Sequence, residues 1–384
     1  MQVSMICCPF QTSFGSYGSS LKAALEKTIG RPVQWVASNC GCGDPIEVNR
    51  QYQAKDCDYF EMPVLGDYRS PQAWKRRVRG AARTVMFSAR ARRFASLSRG
   101  AEVVHFQQVL NAYGSKVVFS WLKQPSKAVR IVTVHELDAD QLESKETNRT
   151  YNRADGIIVH CDEMKQQLVR LNVQPEKIHV VFHGTCIPEP VPDVRRVGIV
   201  FYGGHKLMSS KGIETLMQAM AIIQRRLAPR VSTLTIHGHY GTTTPPAAVE
   251  LAAKHGVADR IVWLNQIPDE DVVRLYQRSQ VCALPYTGSF AGGAAALAAA
   301  CGLPVVCTLK AGLPDHLGES GIWVPENDAA QLADRIVELL SNDELRSRVA
   351  DRSLRRAQGV LRWDVIAEQT LRIYRGENQS EQAA

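Results

Sequence analysis

The sequence predicts an α/β protein of two halves, each a doubly wound parallel sheet with helices on both faces. Three observations predict it. Short apolar runs alternate with helical stretches along most of the chain. Those runs are apolar at successive positions, the mark of strands covered on both sides. A connector, CIPEPVPDVRR at 186–196, carries Pro188, Pro190 and Pro192 and separates two rounds of the same alternation. Prolines so spaced suit a stiff linker rather than an element interior. A length of 384 residues also fits two domains.

The elements follow in order. VSMICC at 3–8 reads as the first strand, followed by a Gly/Ser loop and a helix, SSLKAALEKTI. PVQWVAS, AEVVHFQQ, AVRIVTVHEL and DGIIVHC read as further strands. DEMKQQLVRLN is a helix with Asp162 as its expected N-cap, and KIHVVFHGT closes the half. After the connector, VGIVFYGG leads into the helix KGIETLMQAMAIIQRRL. STLTIHGHY, RIVWLNQ, VCALPY, LPVVCTL and SGIWVPE are short strands, with DEDVVRLYQRS and DAAQLADRIVELLS among the helices between them. The expected domains are 1–188 and 189–362, with a last helix at about 363–384 crossing back to the first. Ligands of open parallel sheets bind at the carboxyl ends of the strands. A central cleft is therefore expected between the halves, at QTSFGSYGSS, VHELDADQ, YGGHKLMSSKG and YTGSFAGG.

Composition narrows the function. At 45% hydrophobic and 22% charged the chain is of ordinary globular type. No run of 18 apolar residues predicts a membrane span. The N-terminus lacks the basic start and apolar core of a secretory signal. The ten cysteines have no framework spacing, and Cys161, Cys282 and Cys307 fall in apolar strands, where a thiol is a small hydrophobe. The Cys40-Gly41-Cys42 turn lacks the spacer and second pair of a zinc or redox site. A reducing cytoplasm and no metal are expected.

The net charge of +8 is uneven: residues 68–101 hold ten basic side chains and no acidic one. The core of this segment, WKRRVRGAARTVMFSARARRF at 74–94, places apolar residues at three- to four-residue steps among arginines. Trp74, Lys75, Arg76, Arg77, Arg79 and Arg83 are candidates for an anionic membrane surface, where each basic residue contributes about 1 kcal/mol. The other reading is the solvated face of a packed helix. No recognition motif or aromatic platform supports nucleic acid.

Several loops carry residues suited to an anionic, sugar-bearing ligand. In QTSFGSYGSSL, Gly15 and Gly18 open a helix just after a strand, although the spacing is not a dinucleotide fingerprint; a plain tight turn is the alternative. His135 ends a strand and precedes Glu136, Asp138 and Asp140, while His105 lies in a similar strand. Gly204 ends the strand before HKLMSSKG, which brings Lys206 and Lys211 into one strand-to-helix loop, a good setting for a diphosphate. A lysine at a helix start opposes the helix dipole, which favours a functional reading. Phe290, Ala291, Gly292 and Gly293 open an alanine-rich helix whose backbone N–H groups a ligand could approach; tight helix packing is the compatible alternative.

Taken together, these segments resemble the retaining glycosyltransferases of the two-Rossmann-domain (GT-B) type, family 4, over nearly the whole chain. The likeness is carried by ADGIIVHCDEMKQQLVRLNVQPEKIHVVFHGT, VFYGGHKLMSSKGIETLMQAM, DEDVVRLYQRSQVCALPY, ACGLPVV and WDVIAEQTLRIY. It implies two Rossmann-like domains facing a cleft. It further implies transfer of a sugar from a nucleotide-sugar to an acceptor hydroxyl with retention, without metal or other cofactor. Lys206 and Lys211 would neutralise the leaving diphosphate, His135 would sit near the donor sugar, and Gly15, Gly18, Gly204, Ser289 and Phe290–Gly293 would line the donor site. Family habit and the basic segment together suggest a lipid-linked saccharide acceptor in bacterial exopolysaccharide or surface glycan synthesis, at the inner face of the membrane. The chain departs from the family at one point. The family's E-x7-E pair falls on Ser289 and Leu297, so the rival expectation is a catalytically silent sugar- or nucleotide-binding partner subunit. His183-Gly184 also stands where Asn-Gly is common.

Overall fold

The computed structural model describes residues 1–7, 12–38, 57–60, 74, 78, 81, 100–107, 127–135, 137, 145–191, 196–204, 209–229, 232–238, 246–265, 267–288, 292–310 and 312–377. The chain divides into two compact units, Met1–Val181 with Trp363–Ala384, and Phe182–Arg362.

The first unit holds β1 (Val3–Cys7), α1 (Thr12–Ile29), β2 (Gln34–Ser38), β3 (Cys57–Phe60), β4 (Val103–Gln107), β5 (Val129–Val134), α2 (Lys145–Tyr151), β6 (Gly156–Val159), α3 (Asp162–Arg170) and β7 (Ile178–Val180). Its seven strands are ordered β3-β2-β1-β4-β5-β6-β7 and every pair is parallel. β1 is an inner strand, with Met5 opposite Trp35 on one side and His105 on the other. The residues of β4 and β6 are buried throughout, as successive apolar positions require.

Two local expectations change. The predicted Gly/Ser loop is helical from Thr12, so Gly15 and Gly18 lie inside α1. Gly18 is buried, and a Cβ there would stand 3.2 Å from the Trp35 ring. Its smallness lets α1 lie close on the sheet rather than opening the backbone to a ligand. The N-cap of α3 is Cys161 in extended conformation, while Asp162 and Glu163 occupy the first turn, where carboxylates favour the helix dipole.

The second unit repeats the scheme. It holds β8 (Ile199–Gly204), α4 (Ile213–Leu227), β9 (Leu234–Gly238), α5 (Pro246–Lys254), β10 (Ile261–Asn265), α6 (Asp269–Arg278), β11 (Val281–Leu284), α7 (Gly293–Ala300), β12 (Val305–Thr308), α8 (Leu313–Leu317), β13 (Gly321–Val324), α9 (Ala329–Ser341) and α10 (Asp343–Val360). The strand order is β10-β9-β8-β11-β12-β13, again parallel. In both sheets the order reverses beside the first strand, between β1 and β4 and between β8 and β11. Beside such a reversal, at the carboxyl edge, open parallel sheets bind their ligands.

The final helix, α11 (Trp363–Tyr374), lies against α1 and belongs to the first unit. Its entry is tied at the other end of the linker, because the Thr185 N–H donates to the Leu361 carbonyl at 2.7 Å and Thr185 bridges Arg362. Among the described residues no helix is long and apolar enough to cross a membrane.

Candidate active site

At the reversal point of the second unit, β8 ends at Gly204 and, among the described residues, a 3-10 turn at Ser209–Lys211 leads into α4. Lys211 therefore precedes the helix rather than occupying its first turn. Gly212 follows as the N-cap with φ 69°, and a Cβ there would meet the Pro285 carbonyl oxygen at 1.9 Å. Only glycine allows that approach. The approach clamps the loop after β8 to the end of β11, and the N–H groups of Thr287 and Gly288 add bonds to the Ser210 carbonyl at 2.8 and 3.1 Å.

The clamp buries Lys211 to 5% exposure. Its Nζ lies 4.0 Å from the centre of the Tyr286 ring and 5.6 Å from that of Tyr202. The Tyr286 hydroxyl donates to the Tyr202 carbonyl at 2.9 Å, and Thr308 donates to the Tyr286 carbonyl. One ammonium is thus held against two ring faces at the joined ends of β8, β11 and β12. Gly204 lies under it, 3.4 Å from Lys211 Cε to where a Cβ would be. Lys206 lies outside the described residues, as do Ser289, Phe290 and Ala291.

The helix after β11 is packed differently from its sequence reading. Gly292, with φ 79°, is the N-cap of α7. The space of its missing Cβ is filled by His316, whose Nδ1 would be 2.3 Å away. At Gly293 a Cβ would meet His183 Nε2 at 3.2 Å. The two glycines admit two imidazole rings of the protein itself on the side a Cβ would occupy. His316 Nδ1–H donates to the Gly312 carbonyl at 2.7 Å, and its Nε2 accepts the His183 backbone N–H at 2.8 Å. Burial pulls His316 down to about 3 and His183 down to about 4, so both rings are neutral near pH 7. Leu297 packs with the core of the second unit. At the other end of α7, Arg196 donates to the Gly302 and Cys301 carbonyls at 2.8 and 2.9 Å, a cation matched to a helix C-terminus. Burial raises the Cys301 thiol to about 12 and also raises Cys282 and Cys307, which keeps all three protonated and inert.

In the first unit His135 follows β5 and is 4% exposed. Its Nδ1 is 2.9 Å from His160 Nε2, and its Nε2 is 3.2 Å from Gln107 Oε1. Tyr17 of α1 stands edge-on to it, with centroids 4.6 Å apart, and also meets the Trp363 ring. His105 has a different task. Fully buried within β4, it bonds Thr133 Oγ1 and Tyr374 Oη, each at 2.6 Å, and so fastens α11 to the sheet. The sequence alone missed Tyr202, Tyr286, Gln107 and His160; the available signal was a polar or aromatic residue within two positions of the end of an apolar strand.

Of the membrane candidates, Trp74 is described, helical and 63% exposed, as is Val78 at 60%. Lys75, Arg76, Arg77, Arg79 and Arg83, like Gly15's surroundings and the Cys40–Cys42 turn, lie outside what is described. Among the described residues no cluster of three or more His, Cys, Asp and Glu could hold a metal ion.

Two Rossmann-like sheets with the same reversal, joined by a linker and a returning helix, define the GT-B class of glycosyltransferase folds. Residues 196–342 match the family model "Glycosyl transferases group 1" and residues 53–187 match "Glycosyltransferase Family 4". The chain belongs to the family-4-like GT-B glycosyltransferases. It is 31% identical over 244 residues to a D-inositol 3-phosphate glycosyltransferase of Corynebacterium efficiens, covering 58% of this chain and 57% of that protein. The counterpart from Mycolicibacterium smegmatis is 32% identical over 203 residues, 50% of this chain and 46% of the other. The chain thus spans about half the length of the curated relatives it matches. Sucrose-phosphate synthase of Thermosynechococcus elongatus superposes with a TM-score of 0.75 at 21% identity, over 98% of this chain and 99% of that one. HepE of Anabaena, solved with UDP, superposes at 0.71 with 14% identity, over 98% and 100%. These last two likenesses concern the fold.

Proposed function

We propose that the protein transfers a sugar from a nucleotide-sugar to an acceptor hydroxyl with retained configuration and without a metal. The observation that carries this reading is Lys211, a buried ammonium fixed at the reversal point of the second sheet. Placed there, it meets the diphosphate of the donor and neutralises charge that grows as the sugar leaves, with Lys206 as its partner in the same loop. Fixed charge in a water-poor site acts strongly on such a step. Gly204 lets the backbone come close beside it. His135, at a strand end of the first unit, is assigned to the donor sugar, and Ser289 with the α7 start to the sugar hydroxyls. Gly15, in the first turn of α1, is kept as a backbone contact. The UDP bound by HepE supports a nucleoside diphosphate leaving group.

The acceptor is assigned as a lipid-linked saccharide of bacterial surface glycan synthesis, reached from the cytoplasmic face. The support is the run of ten basic residues at 68–101 together with the outward Trp74 and Val78. WaaG, which superposes with a TM-score of 0.68 at 15% identity over 97% of this chain and 100% of that one, is described as a glycosyltransferase of lipopolysaccharide biosynthesis. The names of the curated relatives favour instead a small phosphorylated polyol as acceptor. A silent binding subunit is the second reading, and Leu297 supports it, since that side chain packs into the core and offers no carboxylate to a ribose. The test is a panel of UDP-, GDP- and ADP-sugars read as released nucleoside diphosphate, with Lys211→Ala as control. Release abolished by the substitution is expected; binding of UDP or GDP without release from any donor overturns the catalytic reading.

A further inference from the structure

Four groups at the carboxyl edge of the first sheet form one hydrogen-bonded row. The Val181 carbonyl, His160, His135 and Gln107 follow one another at 2.9, 2.9 and 3.2 Å, and all three side chains are buried. The chemistry of the row fixes its protons. A carbonyl oxygen only accepts, so His160 Nδ1 carries a hydrogen and donates it to Val181. In a neutral imidazole the other nitrogen then holds a lone pair, so His160 Nε2 accepts. The bond between the rings requires a hydrogen on His135 Nδ1. His135 Nε2 is left with a lone pair. As placed, Gln107 sets Oε1 toward His135 and its amide nitrogen 3.2 Å from His105 Nε2; turning the carboxamide over brings the amide nitrogen to His135 Nε2 and Oε1 to the His105 ring, which completes the row.

We propose that His160 is a positioning residue that holds His135 in the Nδ1–H tautomer, so that His135 acts through Nε2 as a hydrogen-bond acceptor and not as an acid. The usual preference of a free imidazole for a proton on Nε2 is reversed by a partner anchored to the backbone. Among the described residues, Tyr17 from α1 and Gln107 from β4 face the pair, and Trp363 from α11 packs on Tyr17. Burial raises the Tyr17 hydroxyl, which keeps it neutral.

The proposal rests on the assignment of His135 to the donor sugar, and its test separates the two. Nitrogen-resolved NMR of the histidine-labelled full chain at pH 8, with His135→Gln for assignment, reads the tautomer directly. A hydrogen on Nδ1 and a lone pair on Nε2 are expected. In His160→Leu the signal moves toward the Nε2–H form, and in His160→Gln, which keeps an acceptor, it returns. In the transferase assay His160→Leu lowers kcat by about 10- to 100-fold, taking the range found when the partner of a metal-bound histidine is removed, with little change in donor KM, and His160→Gln restores it in part. A proton on His135 Nε2 in the wild type, or a spectrum unmoved by His160→Leu, overturns the proposal even if sugar transfer is found. The expected tautomer in a protein that transfers no sugar leaves the row standing and removes the catalytic assignment.

Discussion

Lys211 is a cation held where water is scarce. Burying an ammonium costs several kcal/mol unless the surroundings answer it, and a cation over an aromatic face recovers about 0.5–2 kcal/mol. The faces of Tyr286 and Tyr202 do this at the carboxyl end of β8 and β11. Lys211→Ala is expected to lower kcat/KM for the nucleotide-sugar by about 100-fold or more, in the range seen when one stabilising donor is removed from a charged transition state. Steady-state kinetics with the wild-type donor check this, and a loss under threefold would place Lys211 outside the site. A second residue-scale consequence concerns acid. His105 and His316 are held down to about 3 and His183 to about 4, all below the ordinary value of 6.5. Below pH 6.5 the unfolded chain binds more protons than the folded one, so stability falls as pH falls, down to the folded values. The slope is at most about 1.4 kcal/mol per histidine per pH unit. Calorimetry between pH 7.5 and 5 should show a falling melting temperature; a flat profile contradicts the neutral-ring assignments.

At the scale of elements, the loop after β8 and the loop after β11 act as one piece because Gly212 presses on Pro285. Gly212→Ala puts a methyl into that carbonyl oxygen and a side chain at φ 69°, strain that costs more than about 1–3 kcal/mol. Its expected outcome is a lower melting temperature of the second unit and a rise in donor KM, measured together. At the far end of α7, Arg196→Ala strips two carbonyls of charged donors and is expected to destabilise by about 1.5–3 kcal/mol in chemical denaturation. What the sequence disclosed follows the same physics. The buried parallel strands were legible because nearly every residue in them is apolar. β3, CDYF, was not read as a strand, since it is an edge strand carrying a charge. α10 was also missed, because its buried stripe is only Val349, Ser353 and Ala357 among arginines. The start of α1 was misread because glycine usually signals a loop, whereas Gly18 is there for contact with Trp35. His135 was legible as a strand-end polar residue, and Lys211 as a lysine in a strand-to-helix loop. The histidines that fill the space at Gly292 and Gly293 were not, since His316 and His183 are remote from them in sequence.

At the scale of the molecule, the chain is two sheets of one plan, one ending in a buried row of polar side chains and the other in a buried ammonium. The basic stretch at 68–101 gives the first unit a charge that the rest of the chain lacks, since the other 350 residues sum to about −2. If that stretch meets an anionic membrane, flotation with phosphatidylglycerol vesicles should fall when Arg76, Arg77 and Arg79 become Gln, and should fall with rising salt. Flotation indifferent to both changes assigns the segment to a solvated face and favours a soluble acceptor. The central claim is tested most directly by nucleoside diphosphate release from a donor panel, comparing the wild type with Lys211→Ala. Release from one class of nucleotide-sugar is expected, reduced about 100-fold or more by the substitution. Tight binding of a nucleoside diphosphate with no release from any donor, or release that Lys211→Ala leaves intact, would contradict it.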